Sequence, residues 1–206
     1  MTNITGLYAI TPDLVDSATL LRNVEAALEG GVQALQYRNK VADPALRLEQ
    51  ARGLAQLCRT YRVPLIINDH LDLALEVDAE GLHIGAEDGS IAEARRQLGP
   101  EKILGVTCYR KIENALEAAR RGANYVAFGG FFPSPVKGGS GGASMSILGE
   151  AKRRSGLPVV AIGGITVDNA PQLLAAGADS VAVITALFGA PDIKAAARQF
   201  SAIFDR

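Results

Sequence analysis

Gln36, Arg38 and Lys40 stand two apart at the downstream end of a short apolar run, 34–36. In an extended chain, residues two apart share a face, so one amide and two cations are presented together. A second apolar run, 65–67, ends in Asn68-Asp69, and a third, 81–84, is followed by Glu87-Asp88. Asp69 and Asp88, with Asn68 beside them, are oxygen donors of the kind a hard divalent cation takes. Cations together with a carboxylate-held metal suit a substrate that carries a diphosphate, so an enzyme is expected. Each motif alone has a plainer reading: a solvated strand end for Gln36 to Lys40, a cap of the next helix for Asn68-Asp69, and a turn before a helix starting near Ser90 for Asp88.

Further along, Gly163-Gly164 close the apolar run 159–162 and lead into a helix-like segment. Glycine lets backbone N–H groups approach an anion, so this joint reads as a phosphate cradle, with Ile184-Thr185-Ala186 completing it. The alternative is a tight turn that needs Gly for its dihedral angles. Segment 131–142 is rich in glycine and carries Lys137, as a lid closing over an anion would. His83 reads as a hydrogen-bonded residue of the sheet and His70 as facing solvent, neither catalytic. Cys58 lies on the apolar face of a helix and reads as core, and Cys108 has no histidine near it in sequence, so a thiol nucleophile is not expected.

These groups need a frame. Strand-length apolar runs recur at 7–10, 34–36, 65–67, 81–84, 103–107, 125–129, 159–162 and 180–184, separated by stretches with apolar residues three and four apart. Leu46, Ala51, Leu54, Leu57 and Cys58 make one such face, and Ala115, Leu116 and Ala119 another. Three of the helical stretches end alike, at Gly30-Gly31, Gly122 and Gly177, with a strand following at once. Alternating strand and helix means parallel pairing. Eight units in 206 residues fit a single-domain (β/α)8 TIM barrel over 1–206, whose catalytic groups gather at the C-terminal strand ends. A doubly wound open sheet is the rival, weakened because Tyr8-Ala9-Ile10-Thr11-Pro12 stands where a Gly-x-Gly-x-x-Gly would follow the first strand.

Composition narrows the function. A net charge of -1 and 21% charged residues leave no broad basic field for nucleic acid. No apolar run reaches the roughly 18 residues of a membrane span. Two cysteines and no signal-like N-terminus make a reducing cytoplasm the expected location. The exposed helix faces mark no clear interface, and a homodimer stands only as a guess.

Taken in order, Gln36-x-Arg38-x-Lys40, Asn68-Asp69-x-x-Asp72-Leu73-Ala74, Gly81-Leu82-His83-Ile84-Gly85-x-x-Asp88, Gly105-Val106-Thr107, Pro133-Ser134-x-x-Lys137 and Ile162-Gly163-Gly164-Ile165-Thr166 resemble the thiamine phosphate synthase family across nearly the whole chain. The resemblance implies a magnesium-dependent transferase on a barrel. It would join 4-amino-2-methyl-5-hydroxymethylpyrimidine diphosphate to a thiazole phosphate, giving thiamine phosphate and diphosphate. It also implies the roles. The run Gln36, Tyr37, Arg38, Asn39 and Lys40, with Asn68, Thr107 and Lys137, would hold the pyrimidine diphosphate, and Asp69 and Asp88 the magnesium. Ser134, Pro135, Val136, Gly163, Gly164, Ile184 and Thr185 would hold the thiazole phosphate. Arg38, Lys40, Thr107 and Lys137 would carry catalysis by stabilising charge. The chain departs from the family pattern at Thr107 (often Ser), Tyr109 (often His) and Val136 (often Thr). Rival readings are a thiazole tautomerase-like enzyme, a sugar-phosphate isomerase, and a non-catalytic sensor of a phosphorylated metabolite.

Overall fold

A computed structural model describes residues 4–86, 90–133 and 142–205. Eight parallel strands close into a barrel in chain order: β1 (Gly6–Ile10), β2 (Ala34–Tyr37), β3 (Leu65–Asn68), β4 (Gly81–Gly85), β5 (Ile103–Thr107), β6 (Tyr125–Gly129), β7 (Val159–Ile162) and β8 (Ser180–Val183). Closure is made by β1 against β8, where Gly6 pairs with Ser180 and Ala9 with Val183. The Ser180 hydroxyl donates to the Gly6 carbonyl at 2.8 Å. An open doubly wound sheet is thereby excluded.

Period-two alternation sorts the strand residues into two layers. Leu7, Leu35, Tyr37, Ile67, Leu82, Val106, Phe128 and Val181 face outward into the layer shared with the helices. Tyr8, Ile10, Ala34, Ile66, Ile103, Tyr125, Ala127, Val160 and Ala182 fill the barrel itself. Burial on both faces explains why the strands read as continuous apolar runs rather than as alternating ones.

The helices between strands are α1 (Ser17–Glu29), α2 (Pro44–Tyr61), α3 (Leu71–Glu76), α4 (Ile91–Leu98), α5 (Ile112–Arg120), α6 (Ser146–Ser155) and α7 (Ala170–Ala175), followed after β8 by a short α8 (Thr185–Phe188) and α9 (Ile193–Ser201). Their starts are chemically marked. Asp16, Asp43, Ser90 and Asp192 each accept a backbone N–H of the first turn, and Pro44 opens α2 where its missing donor costs nothing. The repeated glycine joints are left-handed as their spacing requires, with φ of +100° at Gly31, +85° at Gly122 and +110° at Gly177. Of the face read on α2, Ala51, Leu54 and Cys58 are buried, while Leu46 and Leu57 are half-buried. No helix among the described residues is long and apolar enough to cross a membrane.

Candidate active site

The C-terminal ends of β2 and β3 open onto a cleft of about 230 Å³ lined by Tyr37, Arg38, Asn39, Lys40, Arg47, Ile67, Asn68, Asp69 and His70. Arg38, Lys40 and Arg47 bring three cations to it, and Asp69 the carboxylate.

The backbone after β2 is tied down by the end of β1. Thr11, fully buried, donates its hydroxyl to the Arg38 carbonyl at 2.8 Å and accepts the Arg38 N–H at 2.9 Å. Asp13 accepts from the Arg38 guanidinium at 3.2 Å and from the Lys40 backbone N–H at 2.8 Å. One carboxylate thus holds the Arg38 guanidinium and the Lys40 backbone together. The Lys40 side chain is exposed, and Arg38 is half-buried.

Tyr37 and Asn39, expected to bind substrate with their neighbours, spend their polar side-chain atoms elsewhere. Tyr37 is outward by parity, and its hydroxyl donates to Gln50 Oε1 on α2 at 2.8 Å. Burial pushes this phenol up to about 12. The Asn39 amide donates to the Leu14 carbonyl and Gln50 Oε1 and accepts from the N–H groups of Val41 and Ala42. These two residues shape the loop beside the cleft, and their side chains offer it no free polar group among these atoms.

Asn68 is the last residue of β3, paired with His83 on β4. Asp69 then turns the chain at φ +62°, a conformation costly for a residue with a Cβ. The helix-capping reading of this pair is overturned, because the cap position of α3 falls on His70 and no side chain caps it. Asn68 Nδ2 instead donates to Asp69 Oδ2 at 2.6 Å, holding an exposed carboxylate at the rim. His70, expected to face solvent, is half-buried and lines the cleft.

Inside the mouth, Gln36 is 3% exposed and donates to the Tyr8 hydroxyl at 3.0 Å. Thr107, at the end of β5, has its hydroxyl 2.7 Å from His83 Nε2, so His83 is the hydrogen-bonded barrel residue its position suggested. Burial pushes the thiols of Cys58 and Cys108 up to about 12, as unreactive core groups.

On the far side of the mouth, Gly163 and Gly164 adopt φ of +110° and +65°. A Cβ at Gly164 would fall 2.3 Å from the Pro133 carbonyl oxygen, and one at Gly163 2.8 Å from the Gly130 nitrogen. The turn reading therefore holds at both positions, and it also packs the β7 joint against the loop after β6. Ile184 lies just past the end of β8, with Thr185 opening α8. Asp88, Ser134, Pro135, Val136 and Lys137 lie outside the described residues.

Among the described residues, no three His, Cys, Asp or Glu side chains gather as a metal site. Magnesium commonly binds through one or two carboxylates and completes its shell with water and substrate phosphates. The exposed Asp69 carboxylate beside three cations fits that donor set. Sequence reasoning missed Thr11, Asp13 and Arg47. Arg47 had one legible signal, a cation in the first turn of the helix that follows the Gln-Arg-Lys strand.

The chain is similar to known proteins over nearly its whole length. The thiamine phosphate synthase of Nitrosospira multiformis is 53% identical over 203 residues, covering 98% of this chain and 87% of the relative. That of Nitrosomonas eutropha is 53% identical over 98% of this chain and 95% of its own length. The solved thiamine phosphate pyrophosphorylase of Pyrococcus furiosus superposes with a TM-score of 0.86 at 36% identity, covering 98% of this chain and 96% of that one. A 3-hexulose-6-phosphate synthase, at 19% identity and a TM-score of 0.72, shares the fold alone. Residues 7–187 match the family described as thiamine monophosphate synthase, and the chain belongs to that family.

Proposed function

We propose that this protein is a thiamine phosphate synthase. It joins 4-amino-2-methyl-5-hydroxymethylpyrimidine diphosphate to 4-methyl-5-(2-phosphooxyethyl)thiazole with release of diphosphate, or to its carboxylated tautomer with release of diphosphate and carbon dioxide. The observation that carries the reading is the cleft where Arg38, Lys40 and Arg47 converge beside Asn68 and Asp69.

In the reaction, the bond from the pyrimidine methylene carbon to the diphosphate oxygen breaks, and the oxygen keeps the electron pair. The thiazole nitrogen then donates its lone pair to the methylene carbon. No proton need be abstracted, so a site without a general base is adequate. What the chain must supply is charge stabilisation and alignment. Arg38, whose guanidinium Asp13 holds, and Lys40, whose backbone Asp13 holds, offset negative charge on the departing diphosphate. Gln36, Asn68 and the Thr107 hydroxyl supply polar contacts around it. Bound magnesium, held by Asp69 with Asp88, would neutralise further diphosphate charge. Gly163, Gly164 and the Ile184-Thr185 joint, after strands seven and eight, are assigned to the thiazole phosphate, the usual phosphate position of barrels. The barrel wall excludes water from the cationic carbon. A cytoplasmic location belongs to this reading, on the two buried free thiols.

The test is to mix the protein with both substrates and magnesium and follow thiamine phosphate by oxidation to its fluorescent thiochrome. Product is expected, and it should disappear on chelation and fall at least about 100-fold in kcat/KM in Arg38→Ala. Tight binding of either substrate without product would replace the synthase by a sensor.

A further inference from the structure

A continuous run of hydrogen bonds crosses the barrel just beneath the mouth. Gln36 Nε2 donates to the Tyr8 hydroxyl at 3.0 Å. The Tyr8 and Tyr125 hydroxyls are 2.8 Å apart, and the Tyr125 hydroxyl is 2.8 Å from His83 Nδ1. His83 Nε2 is 2.7 Å from Thr107 Oγ1. The run draws one residue each from β2, β1, β6, β4 and β5. Its members Gln36, Tyr8, Tyr125 and His83 are 3%, 1%, 0% and 6% exposed, and the two ends meet the substrate mouth. The rings are set against one another as well, Tyr125 edge-on to Tyr8 at 5.9 Å and stacked on His83 at 5.5 Å.

Counting protons gives the run a direction. The Gln36 amide nitrogen can only donate, so the Tyr8 oxygen accepts there. A phenol has one hydrogen, and a buried hydroxyl hydrogen without an acceptor is disfavoured, so Tyr8 donates to Tyr125. By the same rule Tyr125 donates to His83 Nδ1. A neutral imidazole that accepts at Nδ1 carries its proton on Nε2 and donates to Thr107. Thr107 Oγ1, already accepting, keeps its own hydrogen for a partner in the mouth.

We propose that Tyr8, Tyr125 and His83 are positioning residues that polarise Thr107, holding His83 in its Nε2–H form so that the Thr107 hydroxyl donates to an anionic oxygen of the departing diphosphate. The identity of that anion rests on the synthase reading; the polarity of the run does not. Burial holds both phenols above their ordinary range, so both keep the protons on which the direction depends. A Gln36 amide turned the other way would reverse every bond and leave Thr107 as a donor to His83.

The chain has two histidines, His70 and His83, so the ring nitrogens of 15N-labelled protein can be assigned with a His70→Gln variant. Long-range proton–nitrogen spectra are expected to show His83 as the Nε2–H tautomer. The Nδ1–H tautomer, an average of the two, or a doubly protonated ring would overturn the proposal. Tyr125→Phe should lose the single tautomer and lower kcat about ten-fold with KM changed less than about two-fold, whereas a merely loosened pocket would raise KM. If that variant does not fold, the Thr107 pair decides. Thr107→Val should lose about 10- to 100-fold in kcat and Thr107→Ser should restore it; equal activity of the two would overturn the proposal. Should the unaltered protein form no thiamine phosphate, the reaction assignment falls, and the histidine spectrum still decides the polarity.

Discussion

Gly105 is the space that Tyr125 occupies. The two are register partners on β5 and β6, and a Cβ at Gly105 would lie 2.0 Å from Tyr125 Cζ and 2.2 Å from its hydroxyl oxygen. Both face the barrel interior, where the Tyr125 ring leans over its neighbour's empty position to reach Tyr8 and His83.

Gly105→Ala should therefore be an overpacking change, because the obstructing atoms belong to a fully buried ring with no route of escape. Destabilisation of about 1–3 kcal/mol is expected, read as a lowered denaturant midpoint. Unchanged stability would mean that the ring does not sit over Gly105.

Asp13→Ala removes a partly exposed ion pair, so it should cost less than about 1 kcal/mol of stability. Its functional cost should be larger, since Asp13 orders Arg38 and the Lys40 backbone together. A rise of roughly three- to ten-fold in KM for the pyrimidine diphosphate is expected in steady-state kinetics. An unaltered or lower KM would show that the pair restrains the cations instead of aiming them.

Asp69 holds a left-handed backbone that glycine adopts without strain. Asp69→Gly should be no less stable than the unaltered protein, and up to about 1 kcal/mol more stable by thermal unfolding. The same change should lower kcat/KM at least about 100-fold. A stable, fully active variant would remove Asp69 from the metal site.

Alkali should unfold the protein progressively. Burial raises Tyr37 from 10.0 to about 12 and Cys58 and Cys108 from 9.0 to about 12, and it raises Tyr8 and Tyr125 in the same direction. Well below pH 9 all five are protonated in both states, and their full contribution to stability is present. As pH rises from 9 towards 12, the unfolded chain loses protons that the folded chain keeps. Stability then falls by up to about 1.4 kcal/mol per pH unit for each group so affected. Denaturant midpoints taken from about pH 8 to about pH 10.5 should fall steadily; a flat profile would contradict the burial of these groups.

The native thiols should also resist a disulfide reagent near pH 8 and react only on unfolding, as thiols pushed up to about 12 carry almost no thiolate there. Rapid reaction of either thiol in the folded protein would disagree with its position.

Local chemistry makes the barrel readable in the sequence. Apolar runs of strand length, helical stretches with apolar residues three and four apart, and glycines at Gly31, Gly122 and Gly177 are consequences of backbone dihedrals and burial within a few residues. The strand-end position of Gln36, Arg38, Asn68 and Thr107 follows from the same patterning. Other features depended on which distant segments closure brings together. Asp13 meets Arg38 and Thr11 meets its backbone because β1 and β2 are neighbours, although 25 and 27 residues separate the partners. Tyr8 meets Tyr125 across 117 residues because inward-facing side chains of a closed barrel share one interior. Tyr37 and Asn39 line the cleft as their place in the sequence suggests, but pleating and the packing of α2 turn their side-chain polar groups to Gln50. Spacing along the chain determines which face a side chain takes; only the closed sheet determines what that face meets.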